Sequence, residues 1–283
     1  MSKLLRGKNV AGPLLQQAKK IAGSLPKRPK VALVRVGSAP AAKGYQKSAA
    51  KVLERVGITP EPYIFDSQIN FSRFKREIQR LNTDDLIDAI LLLDPLPPRL
   101  PLTRVQDLLS PKKDIDGITR TNLGRTLSPR TGDLVPLTAG AVMELLKFYE
   151  IRLTGAQVVL IGASLAVGKP LANLLLHKHA TLTVCDEYTD DVSFYTRKAD
   201  VVVTAVGHPK LLTAEMVKNK AVVIDVGTNY TSSGKLVGDV DFEKVSKKVR
   251  AITPVPGGIG AITTALLAYR AARVAENFTS KKK

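Results

Sequence analysis

The 283-residue sequence has little cysteine, no tryptophan and few aromatic residues. Its single cysteine, Cys185, excludes a disulfide framework within the chain and a cysteine-rich zinc site. The three histidines, His177, His179 and His208, have no acidic partners at metal-ligand spacing, so we expect no bound metal. Apolar runs of about 20 residues, the length that crosses a bilayer, are also missing, and we expect no membrane partner.

Acidic residues are scarce relative to basic ones. Lys and Arg number 43 against 25 Asp and Glu, a formal net charge of +18, and residues 1–50 hold eleven basic and no acidic side chains. This balance suits solubility in a salty or acidic compartment, or an anionic partner such as a phosphate cofactor, a polyanionic substrate, nucleic acid or a ribonucleoprotein. Aromatic residues make up 5% and are not interleaved with basic ones. The sequence therefore gives only weak support to binding of single-stranded nucleic acid by stacking of its bases on aromatic side chains.

The hydrophobic share of 44% and the charged share of 24% are typical of a globular chain with one large or two ordinary domains. The acid-free first thirty residues have the composition of a mitochondrial presequence. However, apolar residues recur every three or four positions from Val10 until Gly23 and Pro26, which favours an ordinary helix. We therefore expect a cytoplasmic protein, with an organellar matrix as the alternative.

Strand and helix patterns alternate along the chain. Strands are predicted at 30–36, 61–65, 89–93, 158–161, 181–185, 201–205 and 221–226. Helices are predicted between them, with a long polar stretch over 110–135 and a closing helix over 262–277. The alternation predicts an α/β fold with parallel sheets and right-handed crossovers. We expect two lobes, the first formed by 1–140 with the last helix, about 265–280, and the second by 141–264.

The strongest local motif is VVLIGASLAVGKP at 158–170, in which a strand runs into Gly162, Ser164, Gly168 and then a helix. Glycines allow the backbone to approach a pyrophosphate, and a helix N-terminus offers N–H groups and partial positive charge. The spacing departs from G-x-G-x-x-G because Ser164 occupies the place of the second glycine. The motif predicts a dinucleotide site, and the alternative is a tight strand-to-helix turn without a ligand.

Two acidic residues, Asp186 and Glu187, follow the next strand, eighteen and nineteen residues beyond Gly168. An acid at this place hydrogen-bonds the ribose hydroxyls of NAD and repels the 2′-phosphate of NADP. Position 163 in the turn is Ala, so no arginine is available there for that phosphate. We predict NAD over NADP, the alternative being two solvated surface acids.

Two further loops carry candidate ligand contacts. In PKKDIDGITRTNLG at 111–124, Asp116 could accept two N–H bonds from a flat heterocycle such as a pterin or purine, although an Asx-turn is the simpler local interpretation. In PVPGGIGAIT at 254–263, Gly257 and Gly258 allow close approach of the backbone to a ligand.

The chain resembles the methylenetetrahydrofolate dehydrogenase/cyclohydrolase family, of the FolD type, over nearly its whole length. The resemblance rests on the order and spacing of RGKNVAG, VALVRVGSAPAAKGY, DAILLLDPLP, SPKKDIDG, IGASLAVGKP, AVVIDVGTN, GKLVGDVDF and ITPVPGGIGAIT. It implies an N-terminal α/β substrate domain and a Rossmann-type NAD(P)-binding domain, with a deep cleft between them for folate. It also implies a homodimer joined through the cofactor domain.

The resemblance implies Tyr45 and Asp116 as catalytic residues. By this likeness Asp116 would hold the pterin ring and Tyr45 would stack near the reacting ring, with Asp94, Gly257 and Gly258 also at the substrate. The cofactor positions that it implies are Gly162, Ser164, Val167, Gly168, Asp186 and Thr228.

Family residues are replaced at the positions where catalysis is expected. The family's lysine four residues after the tyrosine is Ala49 here, and its strand glutamine is Leu93. Lys47 and Lys51 lie about 200° and 240° around the helix from Tyr45, so neither shares its face. Hydride transfer depends mainly on positioning, whereas hydrolysis of the methenyl cation needs a proton relay. We expect a dehydrogenase whose cyclohydrolase activity is impaired or lost.

Two other functions are compatible with the sequence. One is a non-catalytic paralogue that keeps the fold and binds RNA, a ribonucleoprotein or another anionic partner through its basic first lobe. The other is a dinucleotide-linked reductase that acts on a different small heterocycle. The basic charge also suits a folate polyglutamate tail, so the charge alone does not choose between these functions.

Overall fold

Hydrophobic strands alternate with helices throughout the computed structural model, which describes residues 2–280. The strands, numbered in chain order, are β1 (Lys3–Leu4), β2 (Lys30–Val36), β3 (Thr59–Phe65), β4 (Ala89–Leu92), β5 (Gln157–Ile161), β6 (Thr181–Cys185), β7 (Val201–Thr204), β8 (Val222–Asp225), β9 (Asn229–Tyr230), β10 (Leu236–Val237) and β11 (Ala251–Ile252). The predicted α/β class is confirmed, and every predicted strand is present with ends within two residues of those expected.

The helices are likewise numbered in chain order. They are α1 (Gly7–Ser24), α2 (Pro40–Arg55), α3 (Phe71–Thr83), α4 (Leu102–Val105), α5 (Arg120–Arg125), α6 (Leu137–Phe148), α7 (Gly168–Leu176), α8 (Val192–Thr196), α9 (Phe242–Val245) and α10 (Ile259–Ser280). Over residues 2–280, no helix combines the length and the apolar character that a membrane span requires.

The chain divides into two units, named here by their sheets. The six-stranded unit contains the residues up to 11 together with 126–130 and 138–263. The three-stranded unit contains 12–125, 131–137 and the residues from 264 onward.

In the three-stranded unit the strand order is β3-β2-β4, and both pairings are parallel. The central strand β2 is almost entirely buried, which explains its continuous run of apolar residues. Helix α3 packs Phe74, Ile78 and Leu81 into the same core. These three residues recur at the three- to four-residue spacing of one helix face.

In the six-stranded unit the strand order is β1-β11-β8-β7-β5-β6. All five pairings are parallel, so the carboxyl ends of the strands lie along one edge of the sheet. The loops that follow β5, β6, β7, β8 and β11 therefore emerge on the same side. A short antiparallel hairpin of β9 and β10 is separate from this sheet.

The start of the chain departs from the predicted lobe of 1–140. Strand β1 pairs with β11, and the N–H groups of Lys3 and Leu5 donate to the carbonyls of Arg250 and Ile252, both at 2.8 Å. Leu5 is fully buried there. Two residues of strand are too short to give a periodic sequence pattern, which is why β1 and β11 were not predicted.

Candidate active site

The predicted cofactor residues lie at the carboxyl edge of the six-stranded sheet. Gly162 follows β5, Asp186 follows β6 and Thr228 follows β8. From β5 the chain passes first to β6 on one side and then to β7 on the other, so the strand order reverses between β5 and β7. Open α/β sheets bind ligands at such a switch point, outside the carboxyl ends of the strands.

The glycines after β5 are required by close backbone contacts. Gly162 has φ +110°, and a Cβ there would collide with the carbonyl oxygen of Ala205. A Cβ on Gly168 would in turn collide with the carbonyl oxygen of Gly162. Ser164 Oγ accepts from the N–H groups of Val167, at 3.2 Å, and Gly168, at 3.4 Å. The turn brings backbone N–H groups to the start of α7, as a diphosphate requires.

A buried carboxylate holds the neighbouring loop after β7. Asp239 accepts from the backbone N–H groups of Val206 (2.8 Å), Gly207 (3.1 Å) and His208 (3.0 Å), and from Asn229 Nδ2 (2.9 Å). Three consecutive N–H groups bound to one carboxylate fix the path of this loop beside the glycine turn. The sequence prediction missed this residue, although the segment GKLVGDVDF contains it.

A second buried acid holds Asp239 itself in place. Asp225 accepts from the N–H groups of Asp239 and Val240, both at 3.0 Å, and from Gly227 N at 3.0 Å. Asp225 is the last residue of β8, so the pair connects the end of that strand to the loop after β7. The two acids support the backbone of the cofactor edge.

Asp186 and Glu187 are exposed immediately after β6. Asp186 Oδ1 accepts from the N–H of Tyr188 at 3.0 Å, so one carboxylate oxygen shapes the local turn. The end of the strand that follows the glycine turn and its helix is the position that a ribose-binding acid occupies in dinucleotide folds. The geometry is compatible with both the ribose role and the surface-acid alternative.

The remaining predicted substrate residues divide between the two units. Tyr45 on α2, Asp94 after β4 and Asp116 in the loop before α5 all belong to the three-stranded unit. Gly257 and Gly258 belong to the six-stranded unit, where Gly257 O accepts from Gly7 N at 2.8 Å.

The turn in the loop 111–124 is made by Asp114 rather than by Asp116. Asp114 Oδ1 accepts from Gly117 N at 3.0 Å, and its Oδ2 accepts from Thr119 N at 2.8 Å and from Asn122 Nδ2 at 2.9 Å. Asp114 is buried, and these bonds compensate its carboxylate. The Asx-turn therefore belongs to Asp114 and not to Asp116, for which it was predicted.

Asp116 lies where the loop contacts the segment before α6. Gly117 has φ +75°, and a Cβ there would lie 2.5 Å from the carbonyl oxygen of Leu134. The carbonyl of Asp116 accepts from Leu137 N at 2.8 Å. Gly117 is thus the residue that lets the two segments meet and fixes the backbone of Asp116.

Electrostatics couple Asp116 to Tyr45. Burial, followed by the nearby charge of Asp114, raises the pKa of Asp116 to about 7, while Arg270 opposes the rise. Burial and the charge of Asp116 raise the pKa of Tyr45, so its phenol is protonated at neutral pH. The three-stranded unit thus places a protonated phenol near a carboxyl group that titrates near neutrality.

Comparison with known proteins assigns the family. Residues 5–116 match the model of the tetrahydrofolate dehydrogenase/cyclohydrolase catalytic domain, and residues 136–279 match that of the NAD(P)-binding domain. The chain belongs to the tetrahydrofolate dehydrogenase/cyclohydrolase family. It carries an NAD(P)-binding domain, and the close-packed glycine turn of the six-stranded unit fits that cofactor.

Similar proteins cover almost the whole chain. Bifunctional protein FolD of Dictyoglomus turgidum is 42% identical over 274 residues, 95% of this chain and 96% of the relative. The crystal structure of the bifunctional FolD methylenetetrahydrofolate dehydrogenase/cyclohydrolase of Campylobacter jejuni has a TM-score of 0.95 at 40% identity and covers 98% of this chain and 99% of its own. The 5,10-methylenetetrahydrofolate dehydrogenase of the silkworm, Bombyx mori, has a TM-score of 0.91 at 38% identity, with both chains fully covered.

The two positions at which the resemblance predicts a lysine and a glutamine are apolar and buried. Ala49, one turn beyond Tyr45 on α2, is fully buried, and Leu93, after β4, is 1% exposed. Lys47 and Lys51 are exposed, in agreement with their predicted places on other faces of α2. Within residues 2–280, no group of three or more His, Cys, Asp or Glu side chains is arranged to hold a metal ion.

Gly168→Ala is expected to abolish dinucleotide binding, because the added methyl group would collide with the Gly162 carbonyl and open the turn. Titration of the purified protein with NAD and NADP would measure the loss. Gly12→Ala is the control, since a Cβ at that helical position meets nothing within 4 Å. Unchanged cofactor affinity in Gly168→Ala would contradict the assignment of this turn to the cofactor.

Proposed function

We propose that this chain is an NAD(P)-dependent methylenetetrahydrofolate dehydrogenase. The observation that carries the proposal is the family match over both domains, with the glycine turn, Tyr45 and Asp116 all in place. The bound nicotinamide supplies the hydride acceptor, and the folate nitrogens stabilise the cationic product. The work left to the protein is to hold the two reactants in a productive geometry.

Asp116 and Tyr45 are the residues that we assign to the folate. An ionised Asp116 accepts hydrogen bonds from N–H groups on one edge of the pterin, which fixes the orientation of the ring. Tyr45 stays protonated at neutral pH because burial raises its pKa, so its ring packs as an uncharged group. Asp94, exposed after β4, adds a carboxylate near Asp116, and Gly257 and Gly258 complete the proposed substrate residues.

We further propose that the cyclohydrolase step is impaired or lost. Addition of water to the methenyl cation requires proton transfers, and general acid–base catalysis contributes about 10²–10⁴-fold to such steps. The family's lysine and glutamine are replaced by the buried apolar residues Ala49 and Leu93, which cannot transfer protons. Tyr45 remains, but without its partners.

Purified protein given 5,10-methylenetetrahydrofolate and NAD or NADP is expected to produce reduced nicotinamide, measured by absorbance. Supplied with 5,10-methenyltetrahydrofolate instead, it is expected to hydrolyse this compound no faster than buffer does. Hydrolysis that is faster with the protein, and is lost in Tyr45→Phe, would show that the relay survives and that the proposed loss is wrong.

The double variant Ala49→Lys with Leu93→Gln is expected to gain hydrolysis, on the order of 10²-fold over the unmodified chain. The matched control is Ala50→Lys with Leu93→Gln, which places the same charge one residue along α2 and off the face of Tyr45. Thermal unfolding of each variant would show whether a lysine at a buried position is tolerated. An equal gain in both double variants would contradict the specific role of position 49.

A non-catalytic paralogue that binds an anionic macromolecule is the second candidate. The net charge of +18 and the acid-free first fifty residues favour it. Absence of turnover with either nicotinamide in correctly folded protein, together with salt-sensitive RNA binding, would favour this function over the dehydrogenase. The intact glycine turn, in which added methyl groups would collide, favours the enzyme.

For the cofactor, we propose a preference for NAD. Asp186 stands where an acid binds the ribose hydroxyls, Glu187 adds a second negative charge, and Ala163 offers no cation to a 2′-phosphate. NAD is therefore expected to bind more tightly than NADP.

Asp186→Ser is expected to weaken NAD binding about 10- to 100-fold, which corresponds to the loss of one charge-assisted hydrogen bond. The difference between the affinities for NAD and NADP should therefore become smaller. Fluorescence titration with both cofactors would measure the two dissociation constants. Asp190→Ser is the control, because Asp190 is an exposed acid of the same loop. Tighter binding of NADP than of NAD to the unmodified protein would overturn the preference.

We also propose a homodimer joined through the six-stranded unit. Strand β6 is an edge strand of that sheet, and Val184 on it is 43% exposed. Phe194 and Tyr188, shortly after β6, are also exposed. An edge strand bordered by exposed apolar side chains is a site at which a second copy can pair.

Val184→Lys is expected to convert the dimer to a monomer, because it places a charge in the proposed contact. Sedimentation velocity of the two proteins at equal concentration would measure the change. Tyr230→Lys is the control, since Tyr230 is 70% exposed on the separate hairpin. A monomeric unmodified protein would contradict the proposed dimer.

A further inference from the structure

Arg270 is a cation on the buried face of the last helix. Its side chain is 7% exposed, and Leu266 and Val274, one turn to either side on α10, are both 5% exposed. A guanidinium keeps its charge when it is buried, so such a residue must be compensated by acceptors or by opposite charge. The sequence prediction placed the helix correctly but did not consider this residue.

The contacts of Arg270 lie at the loop that carries Asp116. Its Nη1 donates to the carbonyl of Val135 at 2.6 Å and to the carbonyl of Ile115 at 3.3 Å. Ile115 is the neighbour of Asp116, and Val135 lies in the segment against which Gly117 packs. One side chain therefore connects the two segments whose meeting fixes the backbone of Asp116.

The charged and titratable groups that face Asp116 come from four parts of the three-stranded unit. Asp114 lies in the same loop, Asp94 follows β4, Arg270 projects from α10 and Tyr45 lies on α2. Both carboxylates oppose ionisation of Asp116, as burial does, and Arg270 is the cation that favours it. Loss of this cation would leave Asp116 with burial and like charges alone.

The direction of the pH dependence follows from these neighbours. Burial and the charges of Asp114 and Asp94 raise the pKa of Asp116 to about 7, so its ionised form is lost as the pH falls through that value. Without the Arg270 cation the pKa of Asp116 would rise further. If the acid became tenfold weaker, the ionised fraction at pH 7 would fall from about one half to about one tenth.

We infer that Arg270 is a positioning residue for folate binding, whose guanidinium anchors the Asp116 loop through the carbonyls of Ile115 and Val135 and brings a cation to the neighbourhood of the Asp116 carboxylate. The inference rests on the proposed role of Asp116 in holding the heterocycle. Arg270 acts through Asp116, so its effect belongs to substrate binding rather than to hydride transfer. The cation near Asp116 comes from the last helix, whereas position 49 on α2 is apolar.

The test is the pH profile of the Michaelis constant for methylenetetrahydrofolate in Arg270→Gln. Glutamine removes the charge and keeps one amide donor group on a side chain that is two bonds shorter. The midpoint below which KM rises is expected to move upward by about one pH unit or more, with KM at pH 7 raised about fivefold. The value of kcat at saturating substrate is expected to stay within about twofold of the unmodified enzyme.

Two further substitutions separate charge from packing. Arg270→Lys keeps a cation and should restore the midpoint to near that of the unmodified enzyme. Arg273→Gln removes a cation from the same helix, but Arg273 is exposed and paired with Glu276 at 2.6 Å, so its profile should be unchanged. A purely structural role would make Gln and Lys alike and would leave the midpoint in place.

The outcomes that overturn the inference are distinct from those that overturn the proposed function. An unchanged midpoint in Arg270→Gln would contradict it directly. If Arg270→Gln does not fold, Arg270→Lys provides the test. A midpoint of its KM–pH profile more than one pH unit above that of the unmodified enzyme would contradict the inference. Asp116→Asn tests the underlying role: if its KM is unaltered, the proposed assignment of Asp116 fails, whatever the Arg270 variants show.

Discussion

Buried carboxylates must be compensated, and in this protein the compensation organises the loops at which ligands are expected. Asp239 accepts from three consecutive backbone N–H groups, and Asp225 fixes the backbone of Asp239. Asp114 performs the same task for the loop before α5. Because desolvation of an unpaired charge costs several kcal/mol, each of these loops has one strongly favoured path. The loops that carry the proposed ligand contacts thus depend on buried acids for their backbone paths.

Asp116 contrasts with these structural acids. Burial and two neighbouring carboxyl groups raise its pKa while Arg270 opposes the rise, and the pKa lies near neutrality at about 7. A carboxyl group so placed responds to a change in one neighbouring charge.

Ala49 and Leu93, at the positions where the resemblance predicts the family's lysine and glutamine, give the three-stranded unit two buried apolar side chains. Ala49 and Leu93 are buried, and their hydrocarbon side chains need no hydrogen-bond partners. Such replacements are tolerated by the fold, because hydrocarbon side chains bring no polar group that burial would leave unsatisfied. Our proposal separates the two activities on this basis, because it assigns the positioning of the reactants to other residues and the movement of protons to the replaced groups.

The sequence by itself determined the α/β class, the strands of both sheets that are four or more residues long, the glycine turn and the family, since periodicity and ordered motifs are local properties of the chain. Only the tertiary structure decided that β1 joins the six-stranded sheet and that the turn belongs to Asp114. It alone showed that Arg270 reaches the loop of Asp116. Arg270 stands four residues from both Leu266 and Val274, and a charged residue on this apolar helix face was a local sign of a special role. Its hydrogen-bond partners, however, lie about 135 to 155 residues away in the chain. Contacts at such separations depend on packing, which no local pattern encodes.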